Sequence, residues 1–139
     1  MRVLWLAVVA THVAACATMP VPSSSAKPVP PHRIHDHAFT KAGPDSGFVV
    51  VTRDTGWQAR VCAAHLYVDG VLVANLQAGE QVRLFIPLGT HLIGVTTAKG
   101  GLCLKGSDQF TIEITQGEPV LLRMAAERGK PITIRPSAF

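Results

Sequence analysis

The residues best equipped for chemistry in this 139-residue chain are three cysteines, Cys16, Cys62 and Cys103, and six histidines. Three of the histidines fall in one run, His32-Arg33-Ile34-His35-Asp36-His37. Imidazoles and a carboxylate this close can chelate a borderline metal such as zinc. The spacing matches no structural zinc site, and a pliable segment loses entropy on closing around an ion. His32, His35 and His37 are therefore weak metal candidates, a solvated segment is the better reading, and no metal or other cofactor is expected. Acyl-transfer chemistry needs a nucleophile held against a base. The region after residue 46 offers serines only near its edges and in loops, at Ser107 and Ser137, and Ser46 precedes it. G-x-S-x-G, H-E-x-x-H and framed acid pairs are absent. His65 shares a strand face with Tyr67, and His91 sits at a turn exit where backbone hydrogen bonding is its expected use. No catalytic residue is expected.

Cys16 has a different context. Met1-Arg2 is a positive n-region, and Val3 to Ala10 is an apolar stretch that runs on through Val13-Ala14-Ala15. The stretch is short for a membrane span, which takes about 20 residues, but suits a secretory signal. Val13-Ala14-Ala15-Cys16 resembles the lipobox of bacterial lipoproteins, with Val13 where that family prefers Leu and a polar His12 inside the apolar core. The resemblance implies a signal over residues 1–15, lipidation of Cys16, and a membrane anchor through its acyl chains. Ala17 in place of Asp implies transfer to the outer membrane, the domain facing the periplasm. Several acyl chains hold a protein effectively permanently at about 0.8 kcal/mol per buried methylene.

Residues 16–46 read as a tether. The stretch is rich in Pro, Ser and Ala, lacks an apolar period, and carries Pro20, Pro22, Pro28, Pro30 and Pro31. Polyproline II segments of that length reach about 80–90 Å fully extended.

Residues 47–139 read as one small domain. Phe48 to Arg53 is an apolar, β-branched run, and Trp57-Gln58 lies in a connection. From Arg60 to Asp69, Cys62, Ala64, Leu66 and Val68 share one face and Val61, Ala63, His65 and Tyr67 the other. Asp69-Gly70 predicts a two-residue hairpin turn joining Leu66-Tyr67-Val68 to the run Val71 to Leu76. Val82, Leu84 and Ile86 alternate with Gln81, Arg83 and Phe85 up to Pro87, and His91 to Thr97 returns after the turn, which predicts a meander. Asp108 to Thr115 alternates most clearly, and Val120 to Ala126 and Ile132 to Ile134 add two more runs. No stretch after the signal has a convincing helical period. The fold expected is all-β: a small antiparallel β-sandwich of seven to eight short strands. With Cys16 set aside, two cysteines remain in an exported chain, and an even remainder suggests a disulfide between Cys62 and Cys103. Closing that loop of about 40 residues is worth roughly 4 kcal/mol. A catalytic or metal-binding thiol pair is the sharper alternative, disfavoured by the lack of C-x-x-C spacing.

Tyr67-Val68-Asp69-Gly70, Gly79-Glu80 and Pro87-Leu88-Gly89-Thr90-His91, with cysteines before the first and in the Gly-rich loop after the last, resemble small bacterial envelope lipoproteins with a PEGA-like, DUF-type β-sandwich. These motifs are turn chemistry, so the resemblance implies a fold and carries over no catalytic residue. The formal charge of +4 becomes +3 once Arg2 leaves with the signal, and the basic residues are scattered without interleaved aromatics, unlike a nucleic-acid groove. Nucleic acid is excluded as a partner. The expectation is a non-enzymatic lipoprotein acting as an accessory or protein-interaction module of the cell envelope. The alternative is a module binding glycan or peptidoglycan, with Trp57, His65 and Tyr67 as the ligand face; anionic peptidoglycan or lipopolysaccharide suits the basic surface.

Overall fold

The computed structural model describes residues 18–97, 103–127 and 129–138, the side chains of Trp57 and Gln58 excepted. The expected signal, 1–15, and Cys16 lie outside the described residues.

Alternation builds the sheets. Strand β1 (Lys27–Pro28) is followed by β2 (Ser46–Arg53), a one-turn helix α1 (Trp57–Val61) and β3 (Ala64–Val68). β3 buries Ala64, Leu66 and Val68 and turns His65 and Tyr67 outward. Asp69 and Gly70 take φ of 49° and 81°, the left-handed pair that a two-residue hairpin requires. β4 (Val71–Leu76) then pairs back on β3 from Val68 opposite Val71. The register shifts between Leu66 and Tyr67, a bulge that lets both Val73 and Ala74 be buried.

β5 (Glu80–Pro87) does not continue this hairpin into the expected meander. The short link before it bonds to the end of β2, Gly79 N–H to Arg53 O at 3.0 Å, which commits β5 to β2, with Val49 opposite Leu84. β6 (Gly89–Thr97) crosses back and lies antiparallel on the free side of β3, Leu66 opposite Val95. β7 (Gly106–Ile114) pairs with β6, while β8 (Val120–Ala125) lies parallel to β2 and carries β9 (Thr133–Pro136). The result is an all-β sandwich with nine strands among the described residues, ordered β1-β5-β2-β8-β9 in one sheet and β4-β3-β6-β7 in the other. Two pairings, β1 with β5 and β2 with β8, are parallel, so the sheet centred on β2 is mixed. The core between the sheets is aliphatic, built on Val49, Leu66, Leu84, Ile93, Leu122 and Met124.

The described part of the expected tether, residues 18–46, packs on the sandwich instead of hanging free. Lys27 and Val29 donate their N–H groups to Gly79 O and Gln81 O at 3.0 and 2.9 Å. Pro28 and Pro30 fall at the alternate positions, where an edge strand's nitrogens face outward and no donor is needed. The prolines that read as a stiff spacer thus suit a strand laid on β5. Val29 joins the core, Ile34 and Phe39 pack against it, and the N–H groups of His35 and Asp36 both reach the bulged Val73 carbonyl, at 2.7 and 3.3 Å.

A charged cluster locks this segment down. Arg33 makes a two-pronged ion pair with Glu80, its Nη1 lying 2.8 Å from Oε2, and Glu80 also accepts the Gln77 N–H at 2.7 Å. Removing one member of such a desolvated pair strands the other. Arg33→Met is expected to lower stability by about 3 kcal/mol in urea unfolding and to speed amide exchange at Val29 and His35, leaving Leu84 and Val95 protected. Fast exchange at Val29 and His35 in the unaltered protein would show a free segment.

Candidate functional site

Cross-strand register organises the outer face of the four-stranded sheet. One row runs Leu72, Tyr67, Gly94, Gln109; the next runs Asn75, His65, Thr96, Ser107. Side chains directly opposite one another on a sheet are near neighbours, so the missing side chain at Gly94 opens a trough between Tyr67 and Gln109. The trough is a groove of about 480 Å³ lined by Tyr67, Leu92, Gly94, Thr96, Ser107 and Gln109 among others. A Cβ at Gly94 would lie in ordinary van der Waals contact with Tyr67 Cβ at 3.7 Å and with atoms of Asp108 and Gln109 at 3.9 Å, so Gly94 forms the floor of the trough. Leu92, on the groove rim, is 39% exposed.

Of the expected ligand face, Tyr67 walls this groove. His65 lies one row away and half-buried, its Nδ1 2.7 Å from Asn75 Oδ1. Trp57 begins α1, and its side chain lies outside the described residues. Gly94, Gln109, Thr96 and Leu92 are site residues that the sequence reading passed over. The available signal was Gly94 itself, a lone glycine inside an otherwise apolar strand run, which marks a place where something approaches the backbone closely.

The groove's end is held by Asp108. Burial pushes its carboxyl up, but the Ile134 N–H, 2.9 Å away, and the Arg135 guanidinium outweigh that and hold it below the usual carboxylate range. At the hairpin turn the Asp69 carboxylate accepts from His91 Nδ1 at 2.6 Å and from the Leu92 N–H at 2.9 Å, while His91 Nε2 lies 2.7 Å from Pro87 O. The imidazole ties the Asp69-Gly70 turn to the Pro87 turn, extending the backbone bonding expected of His91 to a carboxylate.

Cys62 and Cys103 sit at disulfide distance, their Cα atoms 5.6 Å apart. Cys62 is buried, but it lies in the link between α1 and β3, because Arg60 and Val61 are helical and the strand expected from Arg60 begins only at Ala64. His32 lies in the 3₁₀ turn Pro31–Arg33, His35 beyond it, and His37 opens the turn His37–Thr40. All three are exposed, and among the described residues no three histidine, cysteine or acidic side chains gather as a metal group. No described helix is long and apolar enough to cross a membrane.

No protein-family model, curated protein or solved structure matches the chain.

The Asp69 carboxyl is held below its ordinary 3.8 by the His91 side chain first and the Leu92 N–H second. A depressed carboxyl stabilises the fold above its unfolded pKa and loses that contribution as pH falls through the folded one. Asn tolerates the positive φ at this position and keeps an acceptor for Leu92. Asp69→Asn is therefore expected to melt a few degrees below wild type at pH 6, a small effect because the side chain is half exposed, with the gap closing between pH 4 and 2. A gap independent of pH would refute the electrostatic account.

Proposed function

We propose that this chain is a non-catalytic binding module of the bacterial cell envelope. It is exported, anchored through acylated Cys16 in the outer membrane with its domain on the periplasmic side, and acts as an accessory to an envelope protein. The observation that carries the reading is the groove over Gly94. It offers a concave surface with an apolar rim at Leu92 and an aromatic wall at Tyr67, on a rigid sheet, and such mixed surfaces serve recognition. The pairing distance of Cys62 and Cys103 supports export, because disulfides persist in oxidising compartments. The resemblance of the turns at Asp69-Gly70, Gly79-Glu80 and Pro87 to His91 to those of small envelope lipoproteins favours the same assignment. The imidazoles beside the sheet spend their described bonds on Asn75, Asp69 and Pro87 O, uses that fasten turns and strands.

A second reading, glycan or peptidoglycan binding, draws on the Tyr67 ring standing over a trough edged by Gln109, Thr96 and Ser107, an aromatic platform beside amide and hydroxyl groups.

Two experiments test these readings in intact cells. Fatty-acid labelling should mark the wild type and not Cys16→Ser, and the variant should leave the membrane fraction; an unlabelled wild type would refute the anchor. A photo-reactive residue at Leu92 should give one discrete protein adduct, while the same probe at exposed Lys41 should not. Adducts with glycan strands alone would favour the second reading, and equal yields at both positions would refute the groove as the working surface. Tyr67→Ala should weaken capture at Leu92 roughly tenfold, about 1.4 kcal/mol.

A further inference from the structure

Four strands end the two sheets, and three of these edges are blunted. β1 is two residues long and carries Pro28, with Pro30 following at the next alternate position. β4 gives its Val73 carbonyl to His35 and Asp36 and its Asn75 carbonyl to Arg33. β9 has four residues and ends in Pro136. β7 differs, with nine residues, no proline, and no described strand beyond it. Its first residues meet β9, where Asp108 holds Ile134 and Arg135, so the open length is Gln109 to Ile114.

The direction of its amides follows from β6. Leu92 turns both backbone groups toward β3, its carbonyl accepting the Asp69 N–H and its N–H donating to the Asp69 carboxylate. Successive residues of a strand alternate, so His91 and Ile93 turn theirs toward β7, where they face Ile112 and Phe110. Gln109, Thr111 and Glu113 consequently aim their N–H and C=O groups out of the sheet, an edge with no strand partner among the described residues and of the kind that templates another strand.

We propose that this edge pairs with the same edge of a second copy of the chain, antiparallel about a two-fold axis at Thr111. In that register every outward amide meets an outward amide. Thr111 faces Thr111 of the second copy, Gln109 faces Glu113, and Phe110 faces Ile112. Thr–Thr and aromatic with β-branched are favourable cross-strand pairs, and an amide opposite a carboxylate donates to it at both ends of the ladder. Shifting the axis to Glu113 sets two carboxylates against each other, and shifting it to Ile112 pairs Gln109 with Thr115 and loses both amide–carboxylate contacts. Phe110, half-buried in the single chain, gains cover from Ile112 of the second copy. The two four-stranded sheets become one of eight strands. Glu113 of the second copy then stands beside Gln109, so each groove acquires an acidic rim from its neighbour.

The test uses the full chain extracted from membranes. Residues opposite each other in a hydrogen-bonded antiparallel pair have Cα atoms about 5.5 Å apart, within disulfide reach. Thr111→Cys is expected to give a reducible dimer on mild oxidation, and Glu113→Cys is not. Thr111→Pro removes an N–H that points outward, so the β6 ladder survives; the variant should melt near the wild type yet sediment as a monomer at roughly 100 μM, where a micromolar wild-type dimer is formed. Thr111→Lys, which sets like charges across the axis, should also be monomeric if the proline variant folds poorly. A wild type that sediments as a monomer at that concentration, a cross-link through Glu113→Cys but not Thr111→Cys, or an adduct with a different protein would each overturn the proposal.

Discussion

The buried guanidinium of Arg53 constrains one end of this sandwich. The residue is 1% exposed, and burial lowers its pKa to about 10 against the raising influence of Glu80. Nη1 donates to Leu76 O at 2.5 Å, and Nη2 has no partner among the described residues. A charge this far from water needs compensation, and Glu80 at the start of β5 supplies it. That carboxylate is in turn neutralised from the other side by Arg33. The order of dependence runs from β2 to the β4–β5 link and then to the N-terminal segment. One buried cation in the sandwich thus contributes, through Glu80 and Arg33, to the docking of a stretch whose composition alone promises no structure.

The same end shows a second ion pair built by the same logic. Asp54 follows Arg53 directly and is equally buried; it accepts from Thr18 Oγ1 and from Arg123 Nε, both at 2.7 Å, and the bond raises the Arg123 pKa. Thr18 thus adds a polar contact to the backbone bridge between Met19 and Thr55. Of these adjacent residues of opposite charge, Asp54 holds Thr18 of the N-terminal segment directly and Arg53 engages Arg33 only through Glu80, and Arg123 joins β8 to the same cluster. Aliphatic burial between the sheets is general; these charge contacts are local and directional, and they fix which surface the segment covers.

Eight of the nine described strands were legible in the sequence, because each must hide alternate residues and because Asp69-Gly70 and Pro87 punctuate in the usual way. β1 was not, since two residues, one of them a proline, have no period; its evidence lies in Gly79 O and Gln81 O across space. The meander failed for a related reason. Alternation tells which face of β5 is buried, but Val82, Leu84 and Ile86 satisfy either sheet equally, and the choice is made by the Gly79–Arg53 bond. Tyr67 emerged from its outward parity. The groove did not, because it exists only when β3, β6 and β7 bring Tyr67, Gly94 and Gln109 into one row.

Edges connect these two themes. A sandwich cannot remove its sheet edges as a barrel does, so each must be covered or blunted. Here the N-terminal segment serves two of them with separate devices: prolines spaced so that only the inward nitrogens donate along β5, and a bulge at Val73 that presents one carbonyl to two successive N–H groups. Holding these covers in place requires the Arg33–Glu80 pair, and that pair answers the burial of Arg53. The edge left open along Gln109 to Ile114 lies in the other sheet, beyond the reach of that cluster, and it borders the groove through Gln109. Protection is concentrated at the charged end, and the groove and the open edge both lie on the sheet that the segment leaves bare from β3 to β7.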